Sequence, residues 1–563
     1  MAVRSVIGTG PLGFTTKGLD LLAEEVITGL DLPAGAEVSV EVPHFVVLAA
    51  DVFTTFLTRN RLRPEDLTDL RDSQIALRFQ NAELPEGLLG ELRRLVVELD
   101  GPLVVRASST LEEEVERSIT GVYPAKLIPN AGDDVSRRAR QLSEAVKLIW
   151  ASTYFADAVS WRLGAGQPAT GERMAVVIHR AVGSRHGNHF YPTAFAVARS
   201  YNHYPAPGQE AGEGVVTVAL GLSRSVREGH AWSYCPDRPT GPPPFRSVRD
   251  LLKHSQTSFW ALDLGGTTAP DPARVDEYLV RLGLADAERH GTLDLVASTY
   301  DAEADVLRVG IDGDGPRAVT FAPVLHSPSI PFSPVIRAIL ARARLVTGGE
   351  VAVEIAVELE PKRGVPIRFG LLSLRTTLGR AEREELHRED LEGKDVIAAS
   401  ERCLGNGVLA DLEDIVYLKP EAFDRHQTRV MATELDAVNR GLLEERRSAI
   451  FIGFGRWGTG DERYGVPVRW AQISSAQVVV EITMAQAPLN VSQRTGFFHH
   501  LMSQRVLCLS LEHDGHHRVD FEWLSDQPAV WEGRFVRHVR LERPVEVNVD
   551  GVRGRGVIRR CEG

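Results

Sequence analysis

The sequence predicts a mixed fold of the α+β or α/β class with more than one domain. Its 563 residues are enough for about three to four domains of ordinary size. Apolar positions at helical spacing alternate along the chain with short apolar runs that are typical of strands. Hydrophobic residues make up 43% and charged residues 25%, so we expect a hydrophobic core of normal size.

The net charge of −12 argues against nucleic acid or an anionic membrane as the main partner. The N-terminus has no signal-peptide apolar stretch, and no run of about 18 apolar residues occurs. The sequence therefore predicts a soluble, cytoplasmic protein. Its cysteines lie far apart without a CxxC pair, as expected of reduced thiols: Cys235, Cys403, Cys508 and Cys561.

The first half of the chain is predicted to alternate helices and strands. A helix is expected over about residues 16–30, because Leu19, Leu22 and Val26 recur at helical spacing. The short strand EVSVEV follows, and residues 90–105 contain an amphipathic helix that leads into the strand PLVVRASS. The apolar runs MAVVIHRAV and GVVTVALGL predict two strands at the heart of a sheet.

Two stretches mark domain boundaries. Residues 236–245 hold five prolines in ten positions, which excludes a helix interior or a central strand. The second stretch, residues 379–395, is dense in charged side chains. We therefore predict three parts, which comprise residues 1–235, 246–378 and 396–563.

The later elements follow the same patterns. A helix at about 333–345 precedes the strands VAVEIAVEL and IRFGLLSLR, which the turn-like EPKRGVP joins into a hairpin. A helix near 428–445 and the strand AIFIGFG begin the last part, and this part ends in strands.

Two cationic side chains are candidates for phosphate contacts. Lys17 follows a Gly-containing loop at the start of a helix, where backbone N–H groups and the helix dipole attract anions. Arg106 ends an apolar strand, and its guanidinium fork suits a phosphate. Taken alone, such residues are more often an exposed surface lysine and a strand-end salt bridge.

The predicted hairpin carries two further candidates. Strict alternation along VAVEIAVEL places the valines and the isoleucine on one face and Glu354 on the other. From there its carboxylate could bind Mg²⁺ on a nucleotide, although a solvated strand face is the simpler alternative. Arg375 lies on the next strand, so Glu354 and Arg375 could face the same triphosphate.

In their order along the chain, these features resemble the N-terminal nucleotide-binding region of the phosphoenolpyruvate synthase and pyruvate phosphate dikinase family. The resemblance implies an ATP-grasp-like module followed by a C-terminal α/β region that ends in strands. It covers residues 7–378 and extends, through a less-studied branch, to about residue 525. The segments that carry it are TTKGLDLL, VPHFVVLAADVFTTFL, PLVVRASSTLEEEVERSITGVYPAKLIPN, VKLIWASTYFADAVSWR, MAVVIHRAV, GVVTVALGL, VEIAV, LLSLR, FIGFGRWGTGDERYGVPVRW and NVSQRTGFFHHLMSQRV.

The resemblance implies ATP and Mg²⁺ as cofactors and a role for each candidate. Lys17 and Arg106 would contact ATP phosphates, and Glu354 would bind Mg²⁺. Arg375 would hold the reacting phosphates and act with Arg106 in catalysis.

The chain departs from the family pattern in two ways. His179 and Ser373 occupy positions in the cofactor site where the family has glutamines, and the shorter serine would leave a coordination position to water. In addition, we find no Gly-Gly-Thr-Ser-His-Ala-like phosphohistidine segment. The roughly 185 residues after the module are too few for the phosphoenolpyruvate-binding barrel of about 250. We therefore do not expect this chain alone to synthesise phosphoenolpyruvate.

The C-terminal part holds a candidate acceptor site in the loop GRWG. Its backbone N–H groups and Arg456 could bind an anion, with Trp457 as an apolar wall, whereas a packed turn is the alternative. His499 and His500 raise the idea of a phosphohistidine, although packing or surface histidines are more common.

We therefore predict an ATP- and Mg²⁺-dependent phosphotransferase whose acceptor is a small molecule, a protein histidine or water. An ATP-grasp ligase that forms an acyl phosphate and a non-catalytic nucleotide-binding scaffold stay open as alternatives. No nucleic-acid or membrane partner is expected. The oligomeric state is open, with a homodimer as one option.

Overall fold

The structure is a computed structural model of the chain. It describes residues 4–33, 37–67, 70–111, 122–164, 167–168, 170–202, 205, 208–227, 231–241, 248, 251–252, 255–266, 270–359, 366–376, 385–459, 465–483, 497, 501, 504, 506–551 and 553–561. Several predicted features lie wholly or partly outside these residues. They include the second half of the proline-rich segment, the turn of the predicted hairpin, the start of the charged stretch, the residues that follow GRWG, and the histidines at 499 and 500.

The helices fall where apolar residues recur at helical spacing. The predicted helix after the Gly-containing loop is confirmed, and its apolar positions Leu19, Leu22 and Val26 are buried. The α-helices are α1 Phe14–Leu21, α2 Ala50–Arg59, α3 Asp72–Gln80, α4 Leu88–Glu98, α5 Val135–Ala151, α6 Ala156–Gly164, α7 Ser223–Arg227, α8 Leu284–Arg289, α9 Ala322–Leu325, α10 Phe332–Thr347, α11 Thr428–Glu444 and α12 Phe521–Asp526.

The strands before residue 378 are short and mostly apolar. They are β1 Arg4–Ile7, β2 Val38–Glu41, β3 Phe45–Leu48, β4 Leu103–Ser109, β5 Ala125–Ile128, β6 Met174–Arg180, β7 Ser184–His186, β8 His189–Tyr191, β9 Ala194–Arg199, β10 Val215–Ala219, β11 Trp232–Tyr234, β12 Ser258–Asp263, β13 Leu279–Gly283, β14 Ala297–Asp301, β15 Val306–Val309, β16 Arg317–Val319, β17 Val351–Glu358 and β18 Ile367–Thr376.

Two of the sheets formed by these strands define the candidate site. The N-terminal sheet has the order β1-β3-β6-β4-β5, and α2 and α5 pack against it. The central sheet has the order β11-β10-β9-β17-β18-β2. The predicted hairpin is confirmed, because β17 and β18 pair antiparallel within this sheet. Two smaller sheets, β13-β12-β8-β7 and β15-β14-β16, complete this half of the molecule.

The central sheet buries one face completely. Val351, Val353, Ile355 and Val357 are fully buried on that face, and α10 packs against β17, so the predicted alternation is confirmed. The sheet also takes strands from both sides of the proline-rich segment, since β9–β11 precede it and β17 and β18 follow it. The first two predicted parts therefore share one sheet, and their division stays a prediction.

The C-terminal strands form one large mixed sheet with the order β19-β29-β28-β21-β22-β25-β26-β20, to which β27 adds by pairing with β28. Both of its faces carry buried apolar side chains, which explains why its parallel inner strands are almost continuously apolar in sequence. Its strands are β19 Val396–Ser400, β20 Cys403–Leu404, β21 Asn406–Leu418, β22 Ala449–Phe454, β25 Ala476–Ile482, β26 Leu507–Leu511, β27 Ala529–Glu532, β28 Val536–Asp550 and β29 Arg555–Arg560, while β23 Arg456–Trp457 and β24 Gly465–Val466 pair separately.

The predicted fold class is confirmed: the chain is a mixed α/β protein whose first half is ATP-grasp-like and whose C-terminal region ends in strands. Within the described part of the chain, every helix is too short or too polar to span a bilayer.

Candidate nucleotide site

The N-terminal and central sheets meet at Arg106. This arginine lies on β4, and its guanidinium crosses to the central sheet. There it donates to the Leu372 carbonyl at 2.8 Å and to Glu354 Oε2 at 3.3 Å. The side chain of Arg106 is 13% exposed and that of Glu354 is 31% exposed. The two residues are 248 positions apart in sequence, yet they form one charged pair in a cleft that solvent can reach.

A β-bulge shapes the cleft edge of the hairpin. Glu354 is opposite Ser373, but the next residue, Ile355, is opposite Leu371, so Leu372 is left outside the regular register. The extra residue is the one whose carbonyl accepts from the arginine on β4. The bulge thus turns a backbone oxygen of β18 towards the N-terminal sheet.

Arg375 contacts Ser373, the residue opposite Glu354 in the hairpin. Its Nε donates to the hydroxyl of Ser373 at 3.1 Å, and Ser373 pairs directly with Glu354 across the hairpin. Arg375 is half-buried and Ser373 is buried. The serine that replaces the family glutamine therefore contacts the candidate phosphate-binding arginine.

Lys17 is exposed on α1, which packs between β4 and β18. The Thr16 N–H donates to the Ser108 hydroxyl at 3.2 Å, which attaches the start of the helix to β4. On its other side, a Cβ atom on Gly18 would lie only 2.6 Å from the Leu374 carbonyl oxygen. The helix that carries Lys17 thus packs against the two strands that carry Arg106 and Arg375, and the role of Lys17 stays a prediction.

His179 lies on β6, buried at the floor of the same cleft. Burial and the charge of Arg106 lower the pKa of His179 to about 4, so the ring is neutral near pH 7. Nδ1 contacts the Arg180 carbonyl at 2.8 Å, and because a carbonyl can only accept, Nδ1 carries the proton. Nε2 is then an acceptor, buried and without a hydrogen-bond partner.

Two further residues of the site are absent from the sequence-based prediction. Asp51 accepts from the Thr9 N–H at 3.0 Å and from its own neighbour Val52, and it holds the glycine-containing loop before α1. Burial raises the pKa of Asp51, but these hydrogen bonds outweigh burial and lower it below the usual value. Arg199 ends β9, and burial lowers its pKa to about 10 against the opposing effect of the Glu354 carboxylate. An arginine that ends an apolar strand, the signal used for Arg106, would have identified Arg199.

The candidate acceptor loop in the C-terminal region contains a tryptophan that is buried in the core. Trp457 is fully buried in the core, where it packs edge-on against Phe451 with ring centroids 6.3 Å apart. Its backbone N–H donates to the buried carboxylate of Glu481 at 2.9 Å. Arg456 is half-buried beside it. This packing favours the alternative of a packed turn for Trp457, and the acceptor role of the loop stays a prediction.

The fold is ATP-grasp-like in the first half of the chain, and a family match supports nucleotide binding there. Residues 25–254 match the family described as pyruvate phosphate dikinase, AMP/ATP-binding domain. The predicted resemblance to the N-terminal nucleotide-binding region of the phosphoenolpyruvate synthase and pyruvate phosphate dikinase family is therefore confirmed for this part of the chain. The match includes Arg106 and His179, whereas Lys17 precedes it and the hairpin follows it. No curated protein matches the chain.

Glu354 and Ser373 are the oxygen donors that a magnesium ion would meet in this cleft. Mg²⁺ takes oxygen ligands, and in nucleotide sites it is commonly held by one or two carboxylates, the phosphates and several waters. A partly exposed carboxylate directly across from a serine hydroxyl fits that pattern. Among the described residues, no group of three or more His, Cys, Asp or Glu side chains is placed to hold a metal without such help.

Proposed function

We propose that this chain is an ATP- and Mg²⁺-dependent phosphotransferase. The observation that carries the proposal is the contact of Arg106 with Glu354 and with the bulged Leu372 carbonyl. This contact joins the matched nucleotide-binding domain to a hairpin that lies outside the match. The cleft between the two sheets thus holds cationic and carboxylate groups of the kinds that phosphoryl transfer requires.

Phosphoryl transfer depends mainly on positioning and on neutralising the charge of the transferred group. Lys17, Arg106 and Arg375 supply positive charge from three different elements that pack together. Arg106 is already oriented by the Leu372 carbonyl, so little reorganisation is needed when a phosphate binds. In this proposal Arg106 and Arg375 are the catalytic residues.

Glu354 and Ser373 would hold the magnesium ion together with the phosphates. When bound, the ion neutralises phosphate charge and fixes the phosphate geometry. Glu354 would exchange part of its contact with Arg106 for the metal, and its exposed side chain makes that exchange sterically simple.

His179 would bind the nucleotide through Nε2. This atom is a buried acceptor without a partner, so a donor group on the ligand would remove the cost of leaving it unsatisfied. An N–H or O–H group of the nucleotide is a donor of that kind. Because the ring is neutral near pH 7, the contact is an ordinary hydrogen bond with no competing charge.

The acceptor in this proposal is a small molecule, a protein histidine or water, in a cytoplasmic setting. Acyl-phosphate ligase chemistry is distinguished by its products, because ADP and phosphate would then appear only when an acid and an amine are both supplied. A nucleotide-binding scaffold would bind ATP without turning it over.

The test is a calorimetric titration of the purified chain with ATP, with and without Mg²⁺. We expect micromolar binding that magnesium strengthens. Lys17→Ala should weaken ATP binding about tenfold, whereas Lys394→Ala, at an exposed lysine of the charged boundary stretch, should leave it unchanged. Glu354→Gln should reduce the magnesium dependence more than the metal-free affinity. Absence of ATP binding by the parent protein would refute the proposal.

A further inference from the structure

The register of the central sheet places Arg199 in the same row as Arg375. Ala352 on β17 pairs with Arg199 on one side and with Arg375 on the other. Residues that are directly opposite in neighbouring strands project to the same face of a sheet. The two arginines therefore stand on the cleft face, about 10 Å apart across two strand spacings.

The next row on that face contains the carboxylate. Glu354 pairs with Val197 on β9 and with Ser373 on β18, two positions along from the arginine row. Glu354 is thus flanked diagonally by a guanidinium on each neighbouring strand. It is the only carboxylate among the six residues of the two rows, and Arg106 reaches it from the opposite sheet.

The small side chain of Ala352 matters for this arrangement. A methyl group between the two arginines leaves room above β17, where a larger residue would fill the space between the guanidinium groups. Burial lowers the pKa of Arg199 to about 10, so the side chain is still charged near pH 7. The guanidinium groups of Arg106 and Arg199, from β4 and β9, thus both interact with the same carboxylate, and an anionic ligand beside it would be attracted by both.

We propose that Arg199 is a third guanidinium of the phosphate site and contacts the polyphosphate chain of the bound nucleotide from the β9 side of Glu354. This inference rests on the proposed function and deepens it. Three guanidinium groups around one carboxylate select for the number of phosphates. The site should therefore prefer a triphosphate to a diphosphate, and both to a monophosphate.

The experiment is a comparison of Arg199→Met, Arg199→Lys and the parent protein in titrations with ATP, ADP, AMP and inorganic tripolyphosphate. Arg281→Met is the matched control, because Arg281 is an exposed arginine on a strand of another sheet. We expect Arg199→Met to weaken the binding of ATP and of tripolyphosphate at least tenfold, and the binding of AMP less than twofold. Arg199→Lys should keep the positive charge but not the bidentate guanidinium geometry, so its affinity for ATP should fall threefold to tenfold.

Equal losses for ATP, ADP and AMP would overturn the inference, because a merely structural arginine would affect every ligand alike. Unchanged affinities in Arg199→Met, in a parent that binds ATP, would overturn it while leaving the proposed function intact. If Arg199→Met does not fold, the lysine variant still decides between these outcomes through its ratio of ATP to AMP affinity. A parent that binds tripolyphosphate but not ATP would refute the proposed function alone, and the losses for tripolyphosphate would still test Arg199. A parent that binds neither would overturn both.

Discussion

Glu354 in the cleft and Asp414 in the C-terminal region are both carboxylates that contact arginines, but their surroundings differ. Asp414 is fully buried and accepts hydrogen bonds from Arg447 at 2.5 Å, His538 at 2.7 Å and Arg540 at 2.8 Å. Glu354 is about one-third exposed and contacts Arg106 at the longer distance of 3.3 Å. The protein itself supplies every strong contact of Asp414, whereas Glu354 faces a cleft that a ligand can enter.

The buried histidines of the two regions differ in the same way. His538 has its Nε2 atom bonded to Asp414, while the Nε2 atom of His179 has no partner. Both rings are almost completely buried, so burial alone does not separate them. The two rings differ in whether the Nε2 atom has a hydrogen-bond partner. We therefore infer that the C-terminal network serves stability, while the cleft is arranged for a ligand.

The largest effect is expected on the free energy of unfolding, when the buried Asp414 is replaced. Asp414→Asn should lower the free energy of unfolding by about 3–5 kcal/mol, because it removes the buried charge that the half-buried Arg447 and Arg540 share. Urea denaturation measures the change. Asp411→Asn, at an exposed position of the same strand, is the control and should change stability by less than about 0.5 kcal/mol. ATP affinity should be unaffected by either variant, and a loss of affinity in folded Asp414→Asn would contradict the separation of roles.

The second prediction concerns pH and His179. Its pKa is about 4 when folded, against 6.5 ordinarily, so protons bind preferentially to the unfolded chain between these values. Stability from this residue is therefore full above about pH 6.5 and falls by about 3 kcal/mol as the pH drops to 4. In His179→Gln this contribution should vanish. The measurement is the difference between the stability–pH curves of parent and variant, and parallel curves would show that His179 is not held neutral by the fold.

A smaller loss is expected from the cleft, and it should appear in binding more than in folding. Arg106→Ala should weaken ATP binding about 10- to 100-fold, since a charged hydrogen-bonding group is lost from the phosphate site. The free energy of unfolding without ligand should change by no more than about 2 kcal/mol. Titration calorimetry and urea denaturation give the two quantities, with Arg281→Ala as the control. A stability loss comparable to that of Asp414→Asn would make the Arg106 contact structural.

The smallest effect is expected at Ser373. Ser373→Ala removes the hydrogen bond to Arg375 Nε and should weaken ATP binding only several-fold, which corresponds to about 1 kcal/mol. The same titration measures it. Identical affinity in the variant would indicate that Arg375 does not depend on the serine for its orientation.

Local patterns in the sequence predict the elements of this site well. The alternation that identifies β17 and its antiparallel partner is a consequence of one buried face, and the structure confirms it. The helix with Lys17 is predicted for the same reason. What the sequence does not contain is the closeness of β4 to the hairpin of β17 and β18, because no periodicity links residues 248 or 266 positions apart. Their shared role was predicted from the family resemblance of the ordered motifs.

Other features are invisible in sequence because they depend on tertiary packing. The bulge at Leu372 arises only when the two strands pair, and Arg199 joins the site only because β9 is the other neighbour of β17. Trp457 has the amphipathic character of a binding-site wall, yet it is buried because Phe451 and the rest of the C-terminal core surround it. A side chain's residue type does not reveal which surfaces later cover it.

The contact between Arg106 and the Leu372 carbonyl has a consequence for how this site can change over time. The acceptor is a main-chain oxygen, which every amino acid possesses, so substitutions at position 372 alter the side chain and leave the anchor in place. The apolar cluster that buries the Leu372 side chain restricts position 372 to apolar residues, but it does not fix which apolar residue stands there. The atom that orients Arg106 is thus fixed by the bulge in the backbone and not by the identity of the side chain.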